Sequence, residues 1–224
     1  MLYKDRHEAG KALARHLEEL RGDPNLIVLG IPRGGVVVAF EVARALEAPL
    51  DIYITRKIGV PHNPELAIGA VASDGTVFVE HDIAARMGAS PEYIEAETQA
   101  QQDEIQRRLN LYRRGRPGPE LADRTIVLVD DGVATGATVM VALRSLRRHN
   151  PRKLVLAVPV APPDTIAKLR READQVICPM TPRLFWAVSG FYQIFGQTQD
   201  DEVVRLLELA AEEQGEQKEA PDKA

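Results

Sequence analysis

A chain of 224 residues that is 45% hydrophobic and 27% charged has room for one α/β domain with decorations, leaves two full domains cramped, and is too apolar for a disordered polymer. A net charge of −5 and a pI near 5.6 exclude the broad basic face of a nucleic-acid binder, so any anion must be held by a few placed groups. No apolar run approaches the roughly 18 residues of a membrane span, and the charged amino terminus MLYKDRHEAG lacks the apolar stretch of a secretory signal, so a cytoplasmic protein is expected. The single cysteine, Cys178, excludes an internal disulfide and is read as a packing residue.

In chain order, Asp5 caps a first helix running through Leu13 and Leu17 to Leu20, which Gly22, Asp23 and Pro24 break. Leu26 to Leu29 is a short apolar strand, Gly30 to Gly35 a glycine turn, and Val36 to Leu46 an apolar helix. Leu50 to Thr55 is the next strand. Gly59, Pro61 and Pro64 predict an irregular, mobile loop over Arg56 to Glu65, followed by a hairpin of Ala67 to Ala72 and Thr76 to Glu80 about Ser73-Asp74-Gly75. Ser90 as cap and Pro91 at the first helical position open a polar, solvated helix through Ile94, Ile105, Leu109 and Tyr112. Its arginines, Arg107, Arg108, Arg113, Arg114 and Arg116, suit a solvated helix end better than an RNA site. Thr125 to Val129 is a strand and Val139 to Arg148 a helix. Leu154 to Val160 is a strand, Asp164 to Arg171 a helix, and Gln175 to Cys178 a short strand. Thr181 to Thr198 is aromatic and irregular, Asp200 to Ala211 is helical, and the closing GEQKEAPDKA is a frayed tail. This alternation predicts a doubly wound, mostly parallel sheet with ligands at the carboxyl ends of its strands, where both glycine loops fall.

The segment Val127 to Thr138, VLVDDGVATGAT, carries the chemistry. A buried strand fixes Asp130 and Asp131 at the sheet edge, where they can accept hydrogen bonds from vicinal ribose hydroxyls or from waters on a magnesium ion. Thr135, Gly136, Ala137 and Thr138 present main-chain N–H groups and hydroxyls at the start of the next helix, a site for a 5′-phosphate. Gly30 to Gly35, with Arg33, is a second anion loop at a strand end. The Gly-Lys-Ser/Thr of a Walker loop and the G-x-G-x-x-G of a dinucleotide fold are absent. A haloacid-dehalogenase reading would need an aspartate at Val129.

These twelve residues resemble the signature of type I phosphoribosyltransferases, closest to the adenine-specific branch, and the chain is similar to bacterial members whose acceptor is unassigned. The resemblance is sharpest in that loop and extends over Leu26 to Val160. It implies an α/β, doubly wound, mostly parallel fold with a small hood and a helical arm. The expected layout is one domain over 1–214, with core about 24–180, arm about 82–116, hood about 181–199, carboxyl-terminal helix about 200–212, and a disordered tail over 215–224. It further implies Mg2+-dependent transfer of 5-phosphoribosyl from 5-phosphoribosyl-1-pyrophosphate to an acceptor nitrogen, by a homodimer, with no nucleic-acid or membrane partner. Asp130 and Asp131 would contact the ribose and, through water, the metal. Ala134, Thr135, Gly136, Ala137 and Thr138 would hold the 5′-phosphate. Pyrophosphate would fall to Arg33, Gly34, Gly35, Arg56 and Lys57, with Lys57 favoured by analogy with the family's loop lysine. Trp186 or Phe191, or Tyr192 beside it, would stack on the acceptor. One departure stands out: Ala134 occupies the loop position where several purine-using relatives carry an acid that acts as general base. A regulatory module that senses the donor without turnover is the alternative, and a phosphate-ester hydrolase using the acidic pair is a third reading.

Overall fold

The structure is a computed structural model that describes residues 2–219. Helix α1 (Arg6–Ala14) starts on Asp5, whose side chain accepts from the Glu8 N–H as the sequence predicts, and the chain then tightens into a 3-10 turn at Glu18–Leu20. Strands β1 (Leu26–Gly30) and β2 (Leu50–Ile52) flank helix α2 (Gly34–Leu46). After a separate three-stranded unit come β6 (Thr125–Val129), α5 (Ala137–Arg147), β7 (Lys153–Ala157), α6 (Pro163–Leu169) and β8 (Gln175–Ile177). These strands form one parallel sheet in the order β2-β1-β6-β7-β8.

Strand alternation explains the two layers. Ile27, Leu29, Ile126, Leu128, Leu154 and Leu156 face α5 and α6, whereas Leu26, Val28, Val127, Val129, Val155 and Ala157 face α1 and α2. Both faces are covered, so the strands read as continuous apolar runs, and each fully buried Leu, Ile or Val contributes about 1.5–3 kcal/mol. The chain leaves β1 toward one face and β6 toward the other. Their carboxyl ends therefore bound the crevice of a topological switch point, where open α/β sheets bind ligands.

The second unit corrects one expectation. Residues 56–65, expected to be an irregular mobile loop, lie largely in strands β3 (Thr55–Val60) and β4 (Asn63–Ala72), which pair antiparallel with β5 (Val77–Val79). Ile58 and Val60 alternate onto a core shared with Ile105, Leu109 and Tyr112, and that burial outweighs the breakers. Gly59 falls at a register shift, and Pro61 and His62 make the tight β3–β4 turn. The hairpin about Ser73-Asp74-Gly75 stands as predicted. A short helix α3 (His81–Arg86) precedes α4 (Pro91–Arg113), which Ser90 caps.

Helix α4 is exposed along much of its length but is not a free arm. Tyr112 is fully buried and its hydroxyl donates to Asp200 Oδ1 at 2.6 Å. Its arginines are paired with acids: Arg107 and Arg108 with Glu104, Arg113 with Asp51, and Arg114 with Glu208. Helix α7 (Asp200–Glu219) runs beyond the predicted end and covers five residues of the expected tail, the rest of which lies outside the described residues. No helix among the described residues is long and apolar enough to cross a membrane.

Candidate active site

Asp130 and Asp131 leave the end of β6 and meet the loop that leaves β1. Ile31 N–H donates to Val129 C=O at 2.9 Å, tying the two loops together. A Cβ on Gly35 would stand 2.8 Å from Asp130 Oδ1 and 2.9 Å from Asp130 Cα, and one on Gly34 would overlap the Asp131 carboxylate. Glycine is thus required by close approach of backbone to carboxylate rather than by turn geometry. The Pro32–Arg33 peptide just before them is cis.

The loop that follows Asp131 is anchored from below and open above. Val133 and Gly136 are buried, while Ala134, Thr135 and Ala137 are exposed. Val133 N–H donates to Val160 C=O at 2.9 Å, and Thr165 Oγ1 donates to Ala134 C=O at 2.7 Å. Gly136 caps α5 with φ +82, a left-handed conformation that glycine adopts without penalty. The leading N–H groups of α5 then face the open side, an anion-binding arrangement.

Burial pushes the Asp130 carboxyl well above its ordinary range, and the like charge of Asp131 adds to this, against a hydrogen bond from the Asp131 N–H and the Arg6 charge. Burial also raises Asp131, although Arg6 opposes it by hydrogen bond and charge. Such a pair gains from a further cation or from hydroxyl donors. Among the described residues, no group of three or more His, Cys, Asp or Glu side chains could cage a metal. Two carboxylates without a cage suit magnesium, which keeps most of its waters.

The remaining predicted residues divide. Arg33 lies on the first loop with Nη1 3.8 Å from Asp200 Oδ1. Arg56 points from β3 to α4, where Nε donates to Gln101 Oε1 at 2.8 Å, and burial followed by the nearby Arg108 lowers its pKa. Lys57, next along the strand and so on the opposite face, is exposed. Thr55, on that same face, donates to Thr138 C=O at 3.4 Å, which places this end of β3 beside the start of α5.

The aromatic segment sits against the acidic loop. Val188, in a 3-10 turn at Val188–Phe191, packs on Gly132, where a Cβ would stand 2.5 Å from its Cγ1. Tyr192 hydroxyl donates to Asp131 C=O at 2.5 Å. Phe191 stacks on Phe185 at 5.2 Å between centroids, and Trp186 is 94% exposed. Sequence reasoning missed Arg6, whose Nε donates to Asp131 Oδ2 at 2.7 Å. Nothing local separates it from an ordinary arginine in a helix's first turn, because its partner is 125 residues away.

The model of the phosphoribosyl transferase domain matches residues 3–193, from the amino-terminal segment through both loops to the aromatic segment. The chain belongs to the phosphoribosyl transferase family. The curated "Putative phosphoribosyl transferase Rv0571c" of Mycobacterium tuberculosis (strain ATCC 25618 / H37Rv) is 47% identical over 209 residues, covering 93% of this chain and 47% of the relative. A counterpart from strain CDC 1551 / Oshkosh matches equally. The chain thus spans about half the length of these curated relatives. The crystal structure of TT1426 from Thermus thermophilus superposes with a TM-score of 0.80 at 43% identity, covering 92% of this chain and 98% of that one. The expected phosphoribosyltransferase fold, α/β with a mostly parallel central sheet, is therefore borne out at the level of the family and of a solved relative.

Proposed function

We propose that this domain transfers a 5-phosphoribosyl group from 5-phosphoribosyl-1-pyrophosphate to an acceptor nitrogen, releasing pyrophosphate. The observation that carries the reading is the meeting of two anion loops at the switch point, with Asp130 and Asp131 at the junction. The spacing suits a ligand with a phosphate at one end, vicinal hydroxyls in the middle and a pyrophosphate at the other.

In this reading Asp130 and Asp131 accept hydrogen bonds from the ribose hydroxyls and hold magnesium through its waters. Magnesium held there would supply neutralisation of the negative charge that builds on the leaving group. The N–H groups of residues 134–138 bind the 5′-phosphate, and Gly34, Gly35 and Arg33 bind the pyrophosphate. Lys57, exposed on its strand, reaches toward the leaving group, whereas Arg56 must first release Gln101. Departure of pyrophosphate leaves cationic character on the ribose, so the protein's contribution is positioning and electrostatics, with no covalent nucleophile. The hood beside Gly132 presents Trp186 and Phe191 for stacking on a nucleobase or related heterocycle.

Ala134 favours a second reading, a donor-sensing regulatory module, because the loop position from which several purine-using relatives supply a general base carries only a methyl group here. Pyrophosphate release, followed across a panel of purine and pyrimidine bases with magnesium and donor, tests the choice. Release with any base supports transfer; tight donor binding with silence across the panel supports sensing.

A further inference from the structure

The amino-terminal segment is built into the site. Tyr3 bridges Tyr192 in parallel register, with Tyr3 N–H donating to Phe191 C=O at 2.9 Å and Gln193 N–H returning to Tyr3 C=O at 2.8 Å. Ile194 N–H donates to Lys4 C=O at 2.9 Å, and the Tyr3 hydroxyl reaches Pro159 C=O at 3.3 Å. Helix α1 is then fixed on α2 by close approach, since a Cβ on Gly10 would stand 2.8 Å from Val38 C=O. Arg6 opens α1, which is held just before its start and again at its middle.

The Arg6 side chain is 12% exposed and is held at three points. Nε donates to Asp131 Oδ2, Nη1 donates to Gly196 C=O at 2.7 Å, and the guanidinium lies 3.8 Å from the centroid of the Phe195 ring. A guanidinium can satisfy two acceptors and stack at once; an ammonium cannot. Asp131 is gripped twice from this side, at its carboxylate by Arg6 and at its carbonyl by Tyr192. The bond to Oδ2 sets the rotation of the carboxylate and so the direction in which Oδ1 can accept from a ligand.

We infer that Arg6 is a positioning residue for the sugar site: it aims the Asp131 carboxylate at the ribose and couples that aim to the segment Phe195–Gly196. This rests on the donor-site reading above, and its consequence is selective. Losing Arg6 impairs recognition of ribose hydroxyls more than the pyrophosphate loop at Arg33 to Gly35, which packs on Arg6 at Gly34, where an added Cβ would stand 2.7 Å from Nε, but to which Arg6 donates no hydrogen bond.

Calorimetric titration of wild type, Arg6→Gln and Arg6→Lys with ribose 5-phosphate, and separately with pyrophosphate without added metal, tests it. Arg6→Gln should weaken ribose 5-phosphate by about 10-fold or more, the scale of a lost charge-assisted contact. Its pyrophosphate affinity should stay within about 2-fold, and Arg6→Lys should recover part of the sugar affinity by restoring a donor to Oδ2. Equal loss of both ligands would mean that Arg6 only supports the fold, and unchanged ribose 5-phosphate binding in Arg6→Gln would also overturn the inference. Absence of ribose 5-phosphate binding by the wild type would instead remove the donor-site reading beneath it.

Discussion

Gly35 lies so close to Asp130 that a single added carbon would stand 2.8 Å from the carboxylate oxygen. The loop that follows β1 and the acidic pair are therefore one structure, each shaped to the other's backbone.

Gly35→Ala should accordingly act on both. The methyl must displace Asp130 or the start of α2, a strain of about 1–3 kcal/mol. A lower thermal midpoint together with loss of donor binding is expected. Unchanged values for both would show that the loops do not constrain one another.

Asp130 is buried at a cost to stability. Its folded pKa is raised, chiefly by burial, so the folded state holds a proton that the unfolded chain releases. Stability is then greatest below the ordinary aspartate value of about 3.9 and falls as pH rises toward the folded value. Asp130→Asn removes that penalty while keeping an oxygen for the Asp131 N–H. At neutral pH it should gain about 1 kcal/mol, or roughly 2–4 °C in Tm for a chain of this size. Thermal unfolding across a pH series checks this, and a destabilised variant at neutral pH would contradict it.

Asp74 has the opposite sign. At the tip of the β4–β5 hairpin its Oδ2 accepts from Ser145 at 2.7 Å and Tyr53 at 3.1 Å, and lies 2.7 Å from His149 Nε2. Burial alone would raise this carboxyl, but the hydrogen bonds from Ser145, Thr76 and His149 outweigh it and hold the pKa below the usual value. Its contribution is present above about pH 4 and is lost as pH falls through the lowered folded pKa. Asp74→Asn should cost about 1–2 kcal/mol at neutral pH, and the difference from wild type should shrink in acid. A constant difference down to the acid limit would show that the charge plays no part.

Trp186 is the only tryptophan and is 94% exposed. Its fluorescence should report full solvation in the free protein and shift or quench when a stacking acceptor occupies the hood. Trp186→Ala should leave stability within about 0.5 kcal/mol and weaken that acceptor about 10-fold, within the ~1–3 kcal/mol of a base–aromatic stack. An emission spectrum indifferent to an acceptor that supports pyrophosphate release would remove Trp186 from the site.

The parallel sheet and its two loops were legible in the sequence because β6, Asp130, Asp131 and the start of α5 are contiguous: strand, turn and helix signals fall within twelve residues. Capping by Asp5 and Ser90 was legible for the same reason. β3 was not, since Gly59 and Pro61 are local breakers and the burial of Ile58 and Val60 that overrides them is supplied by Ile105 and Leu109. Arg6 was invisible because its meaning lies in a partner on another element. The demand for glycine at Gly34 and Gly35 also belongs to the meeting of two loops, and neither loop shows it alone.

If Asp130, Asp131 and the following turn clasp one phosphoribosyl group, the donor must bind through them. Calorimetric titration with 5-phosphoribosyl-1-pyrophosphate and magnesium, on wild type and on Asp130→Asn/Asp131→Asn, decides this. Saturable binding by wild type is expected, with a loss of about 100-fold or more in the double variant, the scale of two charge-assisted contacts. A wild type that does not bind, or a double variant that binds as tightly, would overturn the assignment.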